Sequence, residues 1–186
     1  MKLCFLALLI TSHVSSTPIF ELAQKHAQAN EYALALDGFQ KRVALGNEES
    51  PEFSFSLYNI GLMQEALHAD PTVFIESYNR AFLSKQKAEP LFRIANYHLK
   101  NGNAALAYVL SQYALSLPEP PPQQWKDAAI HDYALLNTFA FAAFSMGKTA
   151  EAKDAFLKVF LKPNIPPQVR KEASLNLELI DKQLRK

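Results

Sequence analysis

Four histidines, His26, His68, His98 and His131, stand in the body of the chain, and the single cysteine, Cys4, lies near its start. No two of these histidines fall at i, i+4 on one helix and no second cysteine joins them, so the spacing offers no zinc site; no metal and no cofactor are expected. Neither Gly-x-Gly-x-x-Gly nor Gly-x-x-x-x-Gly-Lys can be built from the five glycines, which removes two common phosphate cradles. A Gly-x-Ser-x-Gly elbow is absent as well, so no serine nucleophile is signalled. His131-Asp132 stands at the start of a predicted helix, where Asp132 serves as a cap or complements the dipole. His26 and His98 fall on packing positions. The expectation is a protein that is not an enzyme; a hydrolase or lyase would need an unfamiliar site.

The elements that carry these residues are helical. The chain of 186 residues suits one domain, with hydrophobic residues at 49% and charged residues at 20%, enough to bury a core. Counting gives 26 Ala and 26 Leu against 5 Gly, 6 Val and 8 Ile, which favours an all-α protein. Nineteen Lys and Arg face 18 Asp and Glu, so there is no basic excess to recommend nucleic acid or an anionic membrane as a partner.

The first sixteen residues have another character. Lys2 precedes the eight-residue apolar run Leu3-Cys4-Phe5-Leu6-Ala7-Leu8-Leu9-Ile10, and small polar residues ending in Val14-Ser15-Ser16 follow. That order is the order of a secretory signal peptide, and the run is too short to span a bilayer, which takes roughly 20 residues. Cleavage after Ser16 makes residues 1–16 the signal, starts the mature chain at Thr17 and removes Cys4. The expected location is extracytoplasmic, periplasmic or secreted, with no membrane span after cleavage.

From Thr17 onward small residues recur. Leu22-Ala23, Ile60-Gly61, Ile94-Ala95 and Phe139-Ala140 each pair a large apolar residue with a small one, and the small ones are 38, 34 and 45 apart. A second step follows each: Ala35 and Phe39, Phe74 and Tyr78, and Ala152 and Phe156 are four apart, while Ala107 has Ser111 at the matching place. Small residues let helices cross closely and a bulky residue one turn on fills the gap. Asn30, His68-Ala69-Asp70, Asn101-Gly102-Asn103 and Met146-Gly147-Lys148 mark turns between the helices of each pair. This pattern resembles the tetratricopeptide (TPR) repeat family, a helix-turn-helix unit of about 34 residues. The resemblance implies a right-handed superhelical array of TPR-like repeats at about 18–47, 51–84, 88–118 and 133–164 within a repeat domain of 17–186. The proline run from Pro118 to Pro122 breaks the period as an extended connection. A helix over 168–184, with Val169, Ala173, Leu177, Ile180 and Leu184 on one side, is expected to cap the array.

The middle of the chain, from Ala88-Glu89-Pro90-Leu91-Phe92-Arg93-Ile94-Ala95-Asn96-Tyr97-His98 to Ala140-Phe141-Ala142-Ala143-Phe144, resembles the helical region that follows the catalytic domain of some bacterial and viral glycosyltransferases. Those enzymes carry a sugar-nucleotide domain with an Asp-x-Asp motif that this chain lacks, so the resemblance implies at most an accessory module with a glycan or glycan-processing partner.

Phe39, Phe74, Tyr78, Phe82, Phe139, Phe156 and Phe160 fall on packing positions. In such a stack the first helices line a concave wall, here Tyr58, Asn59, Leu62, Phe92, Arg93, Asn96, Asn137, Phe141 and Phe144. Amides, one guanidinium and aromatic rings suit an extended peptide or a protein partner, or a sugar. The family's carboxylate clamp is not expected, because Phe20, Gln24 and Glu89 stand where it needs two lysines and an asparagine. The function expected from these residues is that of a non-catalytic protein-interaction scaffold.

Overall fold

The computed structural model describes residues 17–119 and 125–185. The signal expected over 1–16 and most of the proline run, 120–124, lie outside them. Among the described residues every regular element is a helix: α1 (Pro18–Gln28), α2 (Tyr32–Ala44), α3 (Pro51–Ala66), α4 (Pro71–Ser84), α5 (Ala88–Lys100), α6 (Ala104–Ser116), α7 (Leu135–Ser145), α8 (Thr149–Leu161) and α9 (Pro167–Leu184). A π-helical segment, Ile130–Ala134, runs directly into α7. The chain is thus all-α over the described residues, and adjacent helices pack on one another within α1 to α4 and within α6 to α9.

Local chemistry sets the helix starts. Proline occupies the first turn of α1, α3, α4 and α9, where the missing N–H costs no hydrogen bond. Asp70 caps α4 by accepting from the Thr72 nitrogen at 2.8 Å and the Thr72 hydroxyl at 2.6 Å, and these bonds hold its carboxyl below the usual range. Asp127 caps the helix that leads into α7, accepting from the Ala129 nitrogen at 3.0 Å. The cap therefore lies five residues before Asp132, the residue the sequence suggests; Asp132 is exposed within the π-helical segment. The helix begins earlier than the apolar pattern implies because Asp127 supplies the acceptor there.

The helix ends follow one rule. Asn30, His68, Gly102 and Gly147 all have positive φ, at 61°, 57°, 79° and 72°. Each follows the last turn of a first helix, and each turn closes with the same pair of backbone bonds. The bonds reaching back five residues run from the nitrogens of Glu31 to His26, Ala69 to Gln64, Asn103 to His98 and Lys148 to Ala143, all at 2.9 Å. Those reaching back three run from Asn30 to Ala27, His68 to Glu65, Gly102 to Leu99 and Gly147 to Phe144, at 3.0–3.2 Å. This double closure satisfies carbonyls that a helix end leaves open and turns the chain back on itself.

The described residues divide into two compact units, 17–90 with 125–126 and 91–119 with 127–185. In the first, α1 packs on α2, α2 on α3 and α3 on α4. Residues from Glu52 to Met63 are all buried, so α3 is the central helix and its sequence is apolar or small nearly all round. The small residues sit at close approaches. A Cβ added to Gly61 would lie 2.5 Å from Tyr78 Cε1, and one added to Gly38 would lie 2.7 Å from Ala23 Cβ. In the second unit α6, α7, α8 and α9 pack in sequence around Ala140, Ala143, Ala152, Phe156, Val159 and Ile180, with Ala107 and Ala173 at the same core. Val169 and Leu177 of α9 pack there too, whereas Leu184 is exposed.

Gly61→Ala should destabilise the protein by about 1–3 kcal/mol, since the aromatic ring of a fully buried Tyr78 has to shift. Gly102→Ala meets nothing within 4 Å, and its cost of about 1–2 kcal/mol comes from the left-handed backbone alone. Urea unfolding of both variants, with His68→Gly expected to move the other way, checks the two sources separately.

Candidate functional site

The wall residues named from the sequence divide between the two units. In the first, Tyr58 is buried; its ring stacks on Trp125 at 5.1 Å and 23° and leans on Tyr78 at 5.8 Å. Asn59 is buried as well and spends its amide on its own helix, Nδ2 donating to the Phe55 carbonyl at 2.8 Å. Leu62 is buried beside them.

The second unit holds the others. On α5, Phe92 is buried, and Arg93 and Asn96 are half-buried; the Arg93 guanidinium carbon lies 5.9 Å from the Phe92 ring centre. On α7, Asn137, Phe141 and Phe144 recur at i, i+4 and i+7 and are half-buried. Phe141 meets Phe156 edge-on at 5.0 Å and 87°, so much of its area belongs to the core. Asn137 differs: its Oδ1 is shielded from solvent, and no group among the described residues donates to it. A shielded amide oxygen without a donor is costly, roughly 1–3 kcal/mol, until something supplies one.

Three of the histidines have places of their own. His26 Nδ1 lies 2.5 Å from Glu31 Oε2, His98 meets Tyr97 edge-on at 5.4 Å, and His68 is the exposed turn residue with positive φ. Among the described residues no cluster of three His, Cys, Asp or Glu is placed to hold a metal. His26 is thus half-buried with one ring nitrogen paired to a carboxylate.

Sequence reasoning passed over a second constellation, in the first unit. Lys87, Ser54 and Trp125 line a cavity of about 90 Å³ with Glu49, Pro51 and Lys85. The Lys87 ammonium donates to the Trp125 carbonyl at 2.5 Å and stands 4.2 Å over the Trp125 ring. Burial pushes Lys87 from 10.5 down to about 8, and Glu89, fully buried two residues on, opposes that shift. Phe55 and Tyr58 close around the same indole, and Trp125 Nε1 reaches Ser54 Oγ at a long 3.5 Å. The arrangement anchors the chain where the proline run ends. The signal was a lone tryptophan shortly after four prolines and one glutamate, Pro118 to Pro122, but periodicity cannot register a residue held from a connection.

On the other unit a polar rim joins α6 to α8. Tyr108 donates to Glu151 Oε2 at 2.6 Å, and Lys148 donates to Glu151 Oε1 at 3.2 Å while lying 4.5 Å from the Tyr108 ring centre. The Tyr108 hydroxyl, then Lys148, hold the Glu151 carboxyl low. An open groove of about 400 Å³ runs along Phe160, Ile165, Pro167, Arg170, Lys171, Ser174 and Leu175. Its Arg170 is committed to the end of α8, donating to the Phe160 carbonyl, to Lys162 O at 2.7 Å and to Pro163 O at 3.1 Å.

With fold and surface in view, the class is all-α over the described residues, with α1 to α4 packed in sequence in one unit and α6 to α9 in the other. No protein-family model matches the chain and no curated protein matches it. Among the described residues no helix is long and apolar enough to cross a membrane.

Lys87 gives a pH signature. Between about pH 8 and 10.5 the unfolded chain holds a proton at this amine that the folded chain gives up, so folding stability rises with pH across that window. Below it both forms are protonated and the contribution is constant. Lys87→Met should abolish the rise, which urea midpoints near pH 7 and near pH 10 would reveal as a parent-minus-variant difference that grows with pH.

Proposed function

We propose that this chain is an exported, non-catalytic interaction scaffold, a right-handed superhelical array of TPR-like hairpins that binds an extended peptide or a protein partner. The wall of α5 and α7 in the second unit is the binding surface. What supports this reading most is Asn137: its amide oxygen is shielded yet lacks a donor among the described residues, which is the condition that a backbone N–H of a bound peptide relieves. The same projected face offers half-buried Arg93 and Asn96 on α5 and Phe144 on α7, a guanidinium, a second amide and a ring. Such a set fixes a peptide backbone by its amides and supplies area by its aromatic. Tyr58 and Asn59 are left out of the contact surface, since the aromatic cluster and the α3 backbone already use them. The extracytoplasmic location rests on the order of residues in the first sixteen positions.

The test is a pull-down with the mature chain from its native extracytoplasmic fraction, followed by affinity measurement on the partner recovered. Arg93→Ala should weaken that partner by roughly 10- to 150-fold, the worth of about 1.5–3 kcal/mol for a charge-assisted hydrogen bond. Its melting temperature should barely change. Lys162→Ala, on the connection after α8, should leave affinity within about twofold. An Arg93→Ala chain that binds as tightly as the parent overturns the wall assignment, and a recovered partner that is a glycan would turn the proposal toward the accessory-module alternative.

A further inference from the structure

Glu52, at the first turn of α3, is nearly buried and accepts from three groups outside its own helix. Its Oε2 takes Arg42 Nε at 2.7 Å and the Thr17 hydroxyl at 3.1 Å, and its Oε1 takes the Thr17 backbone nitrogen at 2.9 Å. The guanidinium is itself buried and each of its nitrogens is engaged, donating also to the Gly46 carbonyl at 3.0 Å and to Ser50 Oγ at 2.6 Å. Thr17 precedes the first residue of α1, Pro18, and is half-buried. It is also the residue at which the small-residue pattern Val14-Ser15-Ser16 would start the mature chain.

Resting on the export reading above, we propose that hydrolysis of the Ser16–Thr17 bond frees an α-ammonium that binds Glu52, so that the new N-terminus becomes an ion-paired part of the fold. The step consumes one water. Its oxygen bonds to the Ser16 carbonyl carbon, the C–N bond breaks, Ser16 leaves as a carboxylate, and the Thr17 nitrogen departs as an amine that takes up the protons and becomes an ammonium.

The geometry needs no rearrangement. The nitrogen that donates to Oε1 as a neutral amide keeps its 2.9 Å contact and gains a full charge, which turns an ordinary hydrogen bond into a charge-assisted one. Glu52 stands in the N-terminal turn of α3, where the positive end of the helix dipole attracts a carboxylate. Arg42 already balances one negative charge, so the ammonium is the second cation on a shared carboxylate. The half-buried position of Thr17 leaves its other N–H groups to water, which limits the repulsion between the two cations. The site also fixes where the chain must begin. One residue more leaves an uncharged amide at this place, and one residue fewer removes both the nitrogen and the hydroxyl that reach Glu52.

The full chain should be expressed in an export-competent host and recovered from the extracytoplasmic fraction. Its intact mass gives the first residue. Its α-amine is then acetylated near neutral pH with a water-soluble acetyl ester, and the reaction is followed on the N-terminal peptide. The expected result is a chain that starts at Thr17 and reacts about tenfold more slowly folded than unfolded in urea, which corresponds to an ion pair of about 1.4 kcal/mol. Glu52→Gln should bring the folded rate to within about twofold of the unfolded one. Where that variant fails to fold, the folded-against-unfolded comparison on the parent decides alone. A recovered chain that retains 1–16 overturns the export reading and the anchor with it. A start at any other residue, or a Thr17 start with equal folded and unfolded rates, overturns the anchor and leaves export standing.

Discussion

One backbone constraint organises the chain: a residue that accepts positive φ must stand two turns after each small residue at a helix crossing. The intervals are 23 to 30, 61 to 68, 95 to 102 and 140 to 147, seven residues every time. Seven residues is close to two helical turns, so the small residue and the left-handed residue hold the same angular relation in each hairpin. The first lets the paired helices approach, and the second ends the first helix where it must turn. Both conditions must hold together. A bulky residue at the crossing would push the helices apart, and a residue that resists positive φ would carry the first helix past its turn.

Given that frame, the two units solve their interiors differently. The first is aromatic and carries polar groups inside. Phe20 meets Phe39 and Phe55 edge-on at 6.1 and 5.8 Å, and Phe55 and Tyr58 hold Trp125. Arg42 and Glu52 lie among these helices and are tolerable there because each nitrogen of the guanidinium has an acceptor. Removing either partner would leave a buried charge, whereas the pair as a whole ties the α2–α3 connection and the start of α1 to the central helix. The second unit is built on alanine, with Ala140, Ala142, Ala143 and Ala152 all fully buried, and puts its charges on the rim, as in Lys153 to Asp181 at 2.6 Å between α8 and α9. Exposed pairs of that kind add little stability and serve mainly to orient side chains.

Much of the helical character was legible because it is periodic. Ala23, Gly61, Ala95 and Ala140 could be picked out by spacing alone, as could the turn residues that follow them. Asn30 and His68 are less obvious than Gly102 and Gly147, yet they adopt the same conformation, Asn through its tolerance of it and His68 because the paired closure bonds impose it. What escaped the sequence lies in connections and in long-range polar pairs. Trp125 reaches Ser54 across 71 residues, Lys87 reaches Trp125 across 38, and Arg42 reaches Glu52 from the preceding helix. No local pattern encodes such partners, because each is set by where the packed helices bring two distant positions together. Asp127 was missed for a related reason: a cap is recognised relative to a helix start, and the apolar pattern placed that start too late.

The same distinction bears on binding. Projection onto a helical face gives a residue's direction but not its other commitments, so Tyr58 and Asn59 looked as available as Asn96 and Asn137. In the structure the first two are absorbed, one by indole stacking and one by a backbone carbonyl. Whether a polar side chain on a repeat face serves recognition depends on what its own unit leaves unsatisfied. The alanine side chains of the second unit's core offer no donor, and Asn137 Oδ1 finds none elsewhere among the described residues, whereas Tyr58 and Asn59 are already engaged in the first. That contrast between individual side chains, rather than any general difference between the two interiors, is why the proposed wall is drawn on α5 and α7.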